Sequence, residues 1–187
     1  MKKTGVFLLA LMMLLTGCSG KKDEIERGME LRARLLRADS CTFDAAITAD
    51  YGTEVYKFAM TCQTDEQGDF HFAVTEPETI AGVAGRIDRE GGKLTFTDAA
   101  LQFDLMADGQ VTPVAAPWIL LKTLRSGCLT AAGMEGELLR LTIDDSYEDD
   151  ALQLDIWLDE ENQPIRGEIL YDGRRIVTIS VTNFVLR

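Results

Sequence analysis

Residues 41–63, CTFDAAITADYGTEVYKFAMTCQ, hold two runs in which apolar and polar side chains alternate, separated by Tyr51-Gly52. Alternation at period two marks a half-buried strand, and a two-residue loop with a glycine that accepts positive φ joins two such strands into a hairpin. In that register Cys41, Phe43, Ala45, Ile47 and Ala49 share a face with Tyr56, Phe58, Met60 and Cys62. Cys41 then stands directly opposite Cys62 at a non-hydrogen-bonded pair, where side chains approach most closely. The spacing predicts a Cys41–Cys62 disulfide, the alternative being two small buried thiols. Cys128 is left over, either as a buried free thiol or as a cysteine that pairs between chains.

The same period runs on toward the C-terminus. Phe70, Phe72 and Val74 alternate with His71 and Ala73 before Pro77 ends the strand. Ala84 to Arg89 and Lys93 to Thr97 flank a glycine turn expected at Gly91-Gly92, and Leu101, Phe103 and Leu105 mark a sixth strand. Thr112-Pro113 and Pro117 interrupt the pattern. With proline at the start and Gly127 just past the end, Trp118 to Gly127 reads as a helix of about ten residues. It is apolar almost all round and must be covered by protein or by a ligand.

Strands resume at Glu137 to Ile143 and at Ala151 to Leu158, where Leu152, Leu154, Ile156 and Leu158 point one way. In the last hairpin, a two-residue Asp172-Gly173 loop would set Ile165 and Ile169 on the face opposite Val177, Ile179 and Val181. A three-residue Tyr171-Asp172-Gly173 loop aligns them, so a bulged hairpin is predicted. The fold class is therefore α+β: a curved antiparallel sheet of about ten strands with an N-terminal helix and a central apolar helix on one face. Phe43, Tyr56, Phe58, Phe70, Phe72, Phe96 and Phe103 make the inner face of that sheet aromatic. They form either a packed core or the lining of a ligand cavity.

At the other end, Asp23-x-x-Glu26 has the form of a capping box, and Ile25, Met29, Leu35 and Leu36 recur at helical spacing, predicting an amphipathic helix over Asp23 to Ala38. Before it come Lys2 and Lys3, ten consecutive apolar residues from Val6 to Leu15, and Leu15-Thr16-Gly17-Cys18. That is the build of a bacterial lipoprotein signal peptide, and its apolar run falls short of the roughly 20 residues a helix needs to cross a bilayer. The expected organisation is a signal peptide over 1–17, a short tether over 18–22 with a lipid on Cys18, and one domain over 23–187. Two acyl chains on Cys18, at about 0.8 kcal/mol per buried methylene, anchor a protein stably to the extracytoplasmic side of the cell membrane.

The 187-residue chain carries 31 acidic and 19 basic side chains. So acidic a surface repels nucleic acid, which is excluded as a partner, and leaves the lipid on Cys18 to make the membrane contact. Catalysis has little to work with. His71 is the single histidine and alternation sets it opposite Phe70 and Phe72, so no Ser-His-Asp, Cys-His or two-histidine zinc arrangement can be assembled. The carboxylates at Asp144, Asp145, Glu148, Asp149 and Asp150, and at Asp159, Glu160 and Glu161, lack the pattern of an EF-hand and read as solvated turns. No metal, no cofactor and no enzymatic activity are expected.

The order of a lipobox, an amphipathic helix, six strands, an apolar central helix and four strands resembles the LolA/LolB-like fold of lipoprotein carriers and related envelope lipoproteins. Pro77-Glu78-Thr79-Ile80-Ala81-Gly82 and the stretch from Pro113 to Arg125 are similar to uncharacterised lipoproteins of that superfamily. The resemblance implies an open half-barrel whose concave side, closed by helices, holds acyl chains. Phe58, Phe72 and Phe103, with Trp118 and Leu121 from the central helix, would line that cavity. Shuttling carriers are soluble, whereas Cys18 implies an anchored chain, closer to a receiving or retaining lipoprotein. The alternative function is a non-catalytic envelope scaffold that engages a protein partner through its surface and keeps a packed core.

Overall fold

The computed structural model describes residues 19–88, 91–96, 99–107, 110–147 and 152–187. The signal-peptide segment, Cys18 and the acidic residues Glu148, Asp149 and Asp150 lie outside the described residues. Helix α1 spans Ser19–Arg37 and leads into six strands: β1 Cys41–Asp50, β2 Val55–Thr64, β3 Phe70–Glu76, β4 Ala84–Asp88, β5 Gly91–Phe96 and β6 Ala99–Phe103. A small hairpin, β7 Met106–Ala107 with β8 Gln110–Val111, is followed by a 3-10 turn at Pro113–Ala115 and helix α2, Ala116–Ser126. Five strands complete the chain: β9 Cys128–Glu135, β10 Leu138–Asp144, β11 Gln153–Leu158, β12 Pro164–Tyr171 and β13 Arg174–Leu186.

Eleven of these strands form one antiparallel sheet in the order β6-β5-β4-β3-β2-β1-β13-β12-β11-β10-β9. Two meanders, β1–β6 and β9–β13, are joined where β1 pairs with β13, and the sheet stays open at β6 and β9. Five of the ladders carry a register shift, between β1 and β13, β2 and β3, β9 and β10, β11 and β12, and β12 and β13. Each bulge increases the local twist, which curls so wide a sheet into a trough instead of leaving it flat.

Both helices cover the C-terminal half of the concave face. The buried Leu31 and Leu35 of α1 and Leu120, Leu121 and Leu124 of α2 pack into the same core as Leu141, Ile143, Leu154, Ile156, Ile169 and Ile179. Gly28 lets α1 settle on β9 and β10, since a Cβ there would sit 3.0 Å from the Leu141 methyls. Arg32 ties the helices together by donating from Nε to the Leu124 carbonyl (2.7 Å) and from Nη2 to the Gly127 carbonyl (2.8 Å). A cation on the last carbonyls of a helix satisfies otherwise unpaired acceptors and the negative end of its dipole.

The expected fold class is the one observed, but several local readings change. Helix α1 already includes Ser19–Lys22, so Asp23 lies inside it and is not its cap. Strand β9 has no counterpart in the sequence pattern, because Thr130-Ala131-Ala132-Gly133 at a sheet edge carries little apolar alternation. Gly91 pairs with Asp88, so Gly91-Gly92 belong to β5 and not to a turn; residues 89–90 lie outside the described residues. The reason for a glycine at 92 is contact: a Cβ there would lie 2.2 Å from Cζ of Phe103. In the last hairpin Tyr171 pairs with Arg174 around a two-residue Asp172-Gly173 loop with φ of 49° and 70°. The bulge that realigns the faces lies higher up, at Ile176, so that Ile169 still meets Val177.

The largest correction concerns the first hairpin. Asp50 pairs with Val55, leaving a four-residue loop, Tyr51–Glu54, in which Tyr51 N–H donates to the Glu54 carbonyl (3.0 Å) and Gly52 N–H to Asp50 Oδ1 (2.8 Å). A loop longer by two residues keeps every side chain on its face and changes every partner. Cys41 thus meets Thr64, Cys62 meets Phe43, and no disulfide forms; both cysteines are buried free thiols. Burial pushes the Cys41 thiol up to about 12, with Arg125 opposing it, and drives Cys62 well above the usual thiol value.

Alkylation without reductant therefore leaves Cys41 and Cys62 unmodified in the folded protein and modifies both once it is unfolded, a result that intact mass reads directly. A second measurement addresses Gly127, at the end of α2. A Cβ there would lie 2.6 Å from Ile143 Cγ2 and 2.7 Å from each of the Asp144 and Thr123 carbonyl oxygens. Backbone cannot step aside as a side-chain tip can, so Gly127→Ala lowers stability by about 2 kcal/mol and Tm by about 4–8 °C.

Candidate functional site

The N-terminal half of the trough is covered differently. Among the described residues no helix lies on β2–β5; instead residues 110–114, tied to residues 104–107, cross their concave side. Thr112 stitches this strap to the end of β6, its N–H donating to the Leu105 carbonyl (2.9 Å) and its hydroxyl to the carbonyl of Asp104. Between strap and sheet runs a groove of about 450 Å³, within the usual size of small-molecule sites. Its floor is Phe58, Val74 and Leu94 from β2, β3 and β5, and its far wall is Val111, Pro113 and Val114 from the strap. Ile80 and Val83 close one end and Tyr51 and Tyr56 the other.

Each wall has a local cause. Pro77, after a cis peptide bond, ends β3, and a compact turn follows in which Ile80 N–H donates to the Pro77 carbonyl (3.0 Å) and Gly82 N–H to the Val74 carbonyl (3.0 Å), with Gly82 at φ 88°. The turn presents Ile80, an exposed apolar side chain, at the groove mouth. Across from it, the Tyr51 hydroxyl donates to the Val111 carbonyl, pinning the strap to the first hairpin. Tyr51 and Tyr56 rings tilt together with centroids 6.1 Å apart, and the Tyr56 hydroxyl donates to Glu54. Burial pushes the Tyr51 hydroxyl up to about 12, with Tyr56 adding to it, and the hydrogen bond to Glu54 raises Tyr56.

Of the five residues expected to line a cavity, Phe58 is in this groove. Phe72 is buried in the core, stacked beside Phe70 at 6.3 Å and over Gly85, and Leu121 is buried under α2. Phe103 is half-buried over Gly92, and Trp118 is half-buried on α2 with Lys122 Nζ 5.5 Å from its ring. The structure does not bring the five together. Sequence reasoning passes over Tyr51, Ile80, Val83 and Val111 as groove residues, since each lies in or beside a connection. The one signal available is apolar side chains inside turn sequence, at Ile80 and Val83.

The polar chemistry lies elsewhere. His71 is on the convex face, 2.9 Å from Asp65, whose carboxyl that contact holds below the usual range. Among the described residues no group of three or more His, Cys, Asp or Glu is placed to hold a metal ion. The convex side of β10–β12 instead carries Trp157 sandwiched between the guanidiniums of Arg140 and Arg166, at 5.3 and 4.6 Å. Beneath them the buried Asp155 accepts from Arg140 and Thr142, both at 2.6 Å.

No family model and no curated protein sequence matches the chain. Among solved structures it is similar to a LolA superfamily protein from Nitrosomonas europaea, with 12% identity, 91% of this chain and 94% of that one covered, and a TM-score of 0.46. It is also similar to the Mycobacterium tuberculosis lipoprotein LppX (11%, 87% and 93%, 0.41). A third similarity is to a chain in the structure of the Clostridioides difficile CwlD amidase in complex with the GerS lipoprotein (9%, 92% and 100%, 0.45).

The Tyr51 contact can be checked by pH. Its pKa is higher folded (about 12) than unfolded (about 10), so its contribution is complete below pH 10 and is lost as pH rises toward 12. Tyr51→Phe has no proton to lose there, and its Tm falls less steeply than the wild type's over that window. At neutral pH the same variant is less stable by about 1 kcal/mol, the worth of one hydrogen bond.

Proposed function

We propose that this chain is a lipid-anchored extracytoplasmic protein that holds an acyl chain or similar apolar ligand in the groove between β2–β5 and the strap. The observation that carries the reading is the groove itself: an apolar channel roofed by a strap tied down at Tyr51, with Ile80 and Tyr56 exposed at its mouth. The covered C-terminal half acts as the rigid support, and the uncovered half as the site. Anchoring through Cys18 gives the groove access to ligands from one membrane and its neighbours. An envelope protein that delivers or receives the ligand is the partner such a device needs.

Native mass spectrometry of the full chain taken gently from membranes tests this, and a lipid-sized adduct is the expected result. Val83→Trp fills the groove from a loop position and should weaken binding of a fluorescent fatty acid by about tenfold or more, with Tm nearly unchanged. A chain that carries no adduct and takes up no acyl probe sinks the proposal and favours the scaffold reading.

A further inference from the structure

Helix α1 buries one side and leaves an apolar stripe on another. Ile25 is 48%, Met29 46% and Leu36 63% exposed, although Leu31 and Leu35 of the same helix are fully buried. At 100° per residue the three exposed side chains fall within about 40° of one another, in a line about 16 Å long. Single exposed apolar residues are ordinary; an aligned set on one helix flank is not.

Two further observations say what covers the stripe. Helix α1 is described from Ser19 onward, and Ser19 follows Cys18 directly in the sequence. A lipid on Cys18 would hold the N-terminal end of α1 at the bilayer surface, with Ile25 only about 9 Å and Leu36 about 26 Å along the axis from Ser19. Charge points the same way. Residues 19–38 carry six basic and four acidic side chains, whereas 39–187 carry 11 basic and 27 acidic. Helix α1 thus has a net positive charge on an otherwise strongly acidic domain, which favours its approach to anionic headgroups.

We infer that α1 lies flat on the membrane that holds the lipid, with Ile25, Met29 and Leu36 entering its interface, so that the anchor and the stripe together set the orientation of the domain. The inference rests on the anchoring reading of Cys18. Interfacial helices bind by an apolar flank plus attraction to anionic lipid, and a covalent anchor removes most of the cost of bringing a modest stripe to the surface. With α1 fixed in the membrane plane, the acidic β-sheet is held to one side of the helix and cannot tumble about its tether.

The test uses the full chain, produced in membranes and reconstituted into vesicles of phosphatidylethanolamine and phosphatidylglycerol. The mass of the N-terminal peptide reports separately whether Cys18 is acylated. Nitroxide labels are placed at Met29→Cys, Leu36→Cys or Glu30→Cys in a Cys128→Ser background. Positions 29 and 36 should show an oxygen-to-nickel accessibility ratio about threefold or more above that of position 30, as expected for side chains below the headgroups. Equal ratios at all three positions, with Cys18 acylated, overturn the proposal and leave the anchoring reading standing. Labels at 29 and 36 shielded from both reagents would mean that protein covers the stripe, which also overturns it. An unmodified Cys18 removes the anchor and the proposal with it.

Discussion

The pairing of β1 with β13 holds the two halves of this molecule together, and the trough, the helix layer and the groove all follow from it. It runs from Cys41 opposite Leu186 to Ala49 opposite Val177 and joins two meanders that are otherwise separate local structures. Its residues come from opposite ends of the domain, so the ladder forms only after a large loop-closure cost has been met. In return it places Ala45, Ile47, Val177 and Ile179 at the centre of one continuous apolar surface. Without it, the two meanders would present two separate apolar faces instead of one.

Because the first and last strands meet in the middle, the chain must travel from the β6 edge of the sheet to the β9 edge across the concave side. Helix α2 and the strap are that crossing, and their unequal covering power divides the trough. A helix buries a broad apolar stripe, and α2 with α1 makes a close-packed core over β9–β13. The strap is narrow and backbone-rich, held by Tyr51 and Thr112, and cannot fill the space over β2–β5. The groove is a consequence of that difference in width. The convex face resolves its own exposure by other means, laying arginines over Trp157 and burying Asp155 and Glu168 beneath them.

Period two carries one bit of information per residue, the face, and that bit is legible almost throughout the chain. Phe43, Ile47, Phe70, Phe72, Val74 and Ile87 all lie on the expected side. Partners are not legible, because a register shifted by two residues satisfies the same alternation. That is why Cys41 and Cys62 share a face yet do not meet. The last hairpin shows the same limit: alternation demands an extra residue, but local geometry puts the bulge at Ile176 and not in the turn. Strand β9 escapes detection because small residues suppress the signal.

Local periodicity and turn chemistry suffice for the class of the fold, the inner and outer faces of most strands, and the position and apolar character of α2. They do not say which residues surround open space. Phe72 and Leu121 are as apolar as Phe58, but they lie beneath close-packed neighbours and Phe58 lies beneath a strap. Whether an apolar side chain becomes core or lining depends on what packs over it in three dimensions, and that neighbour is distant in sequence and invisible to any local pattern.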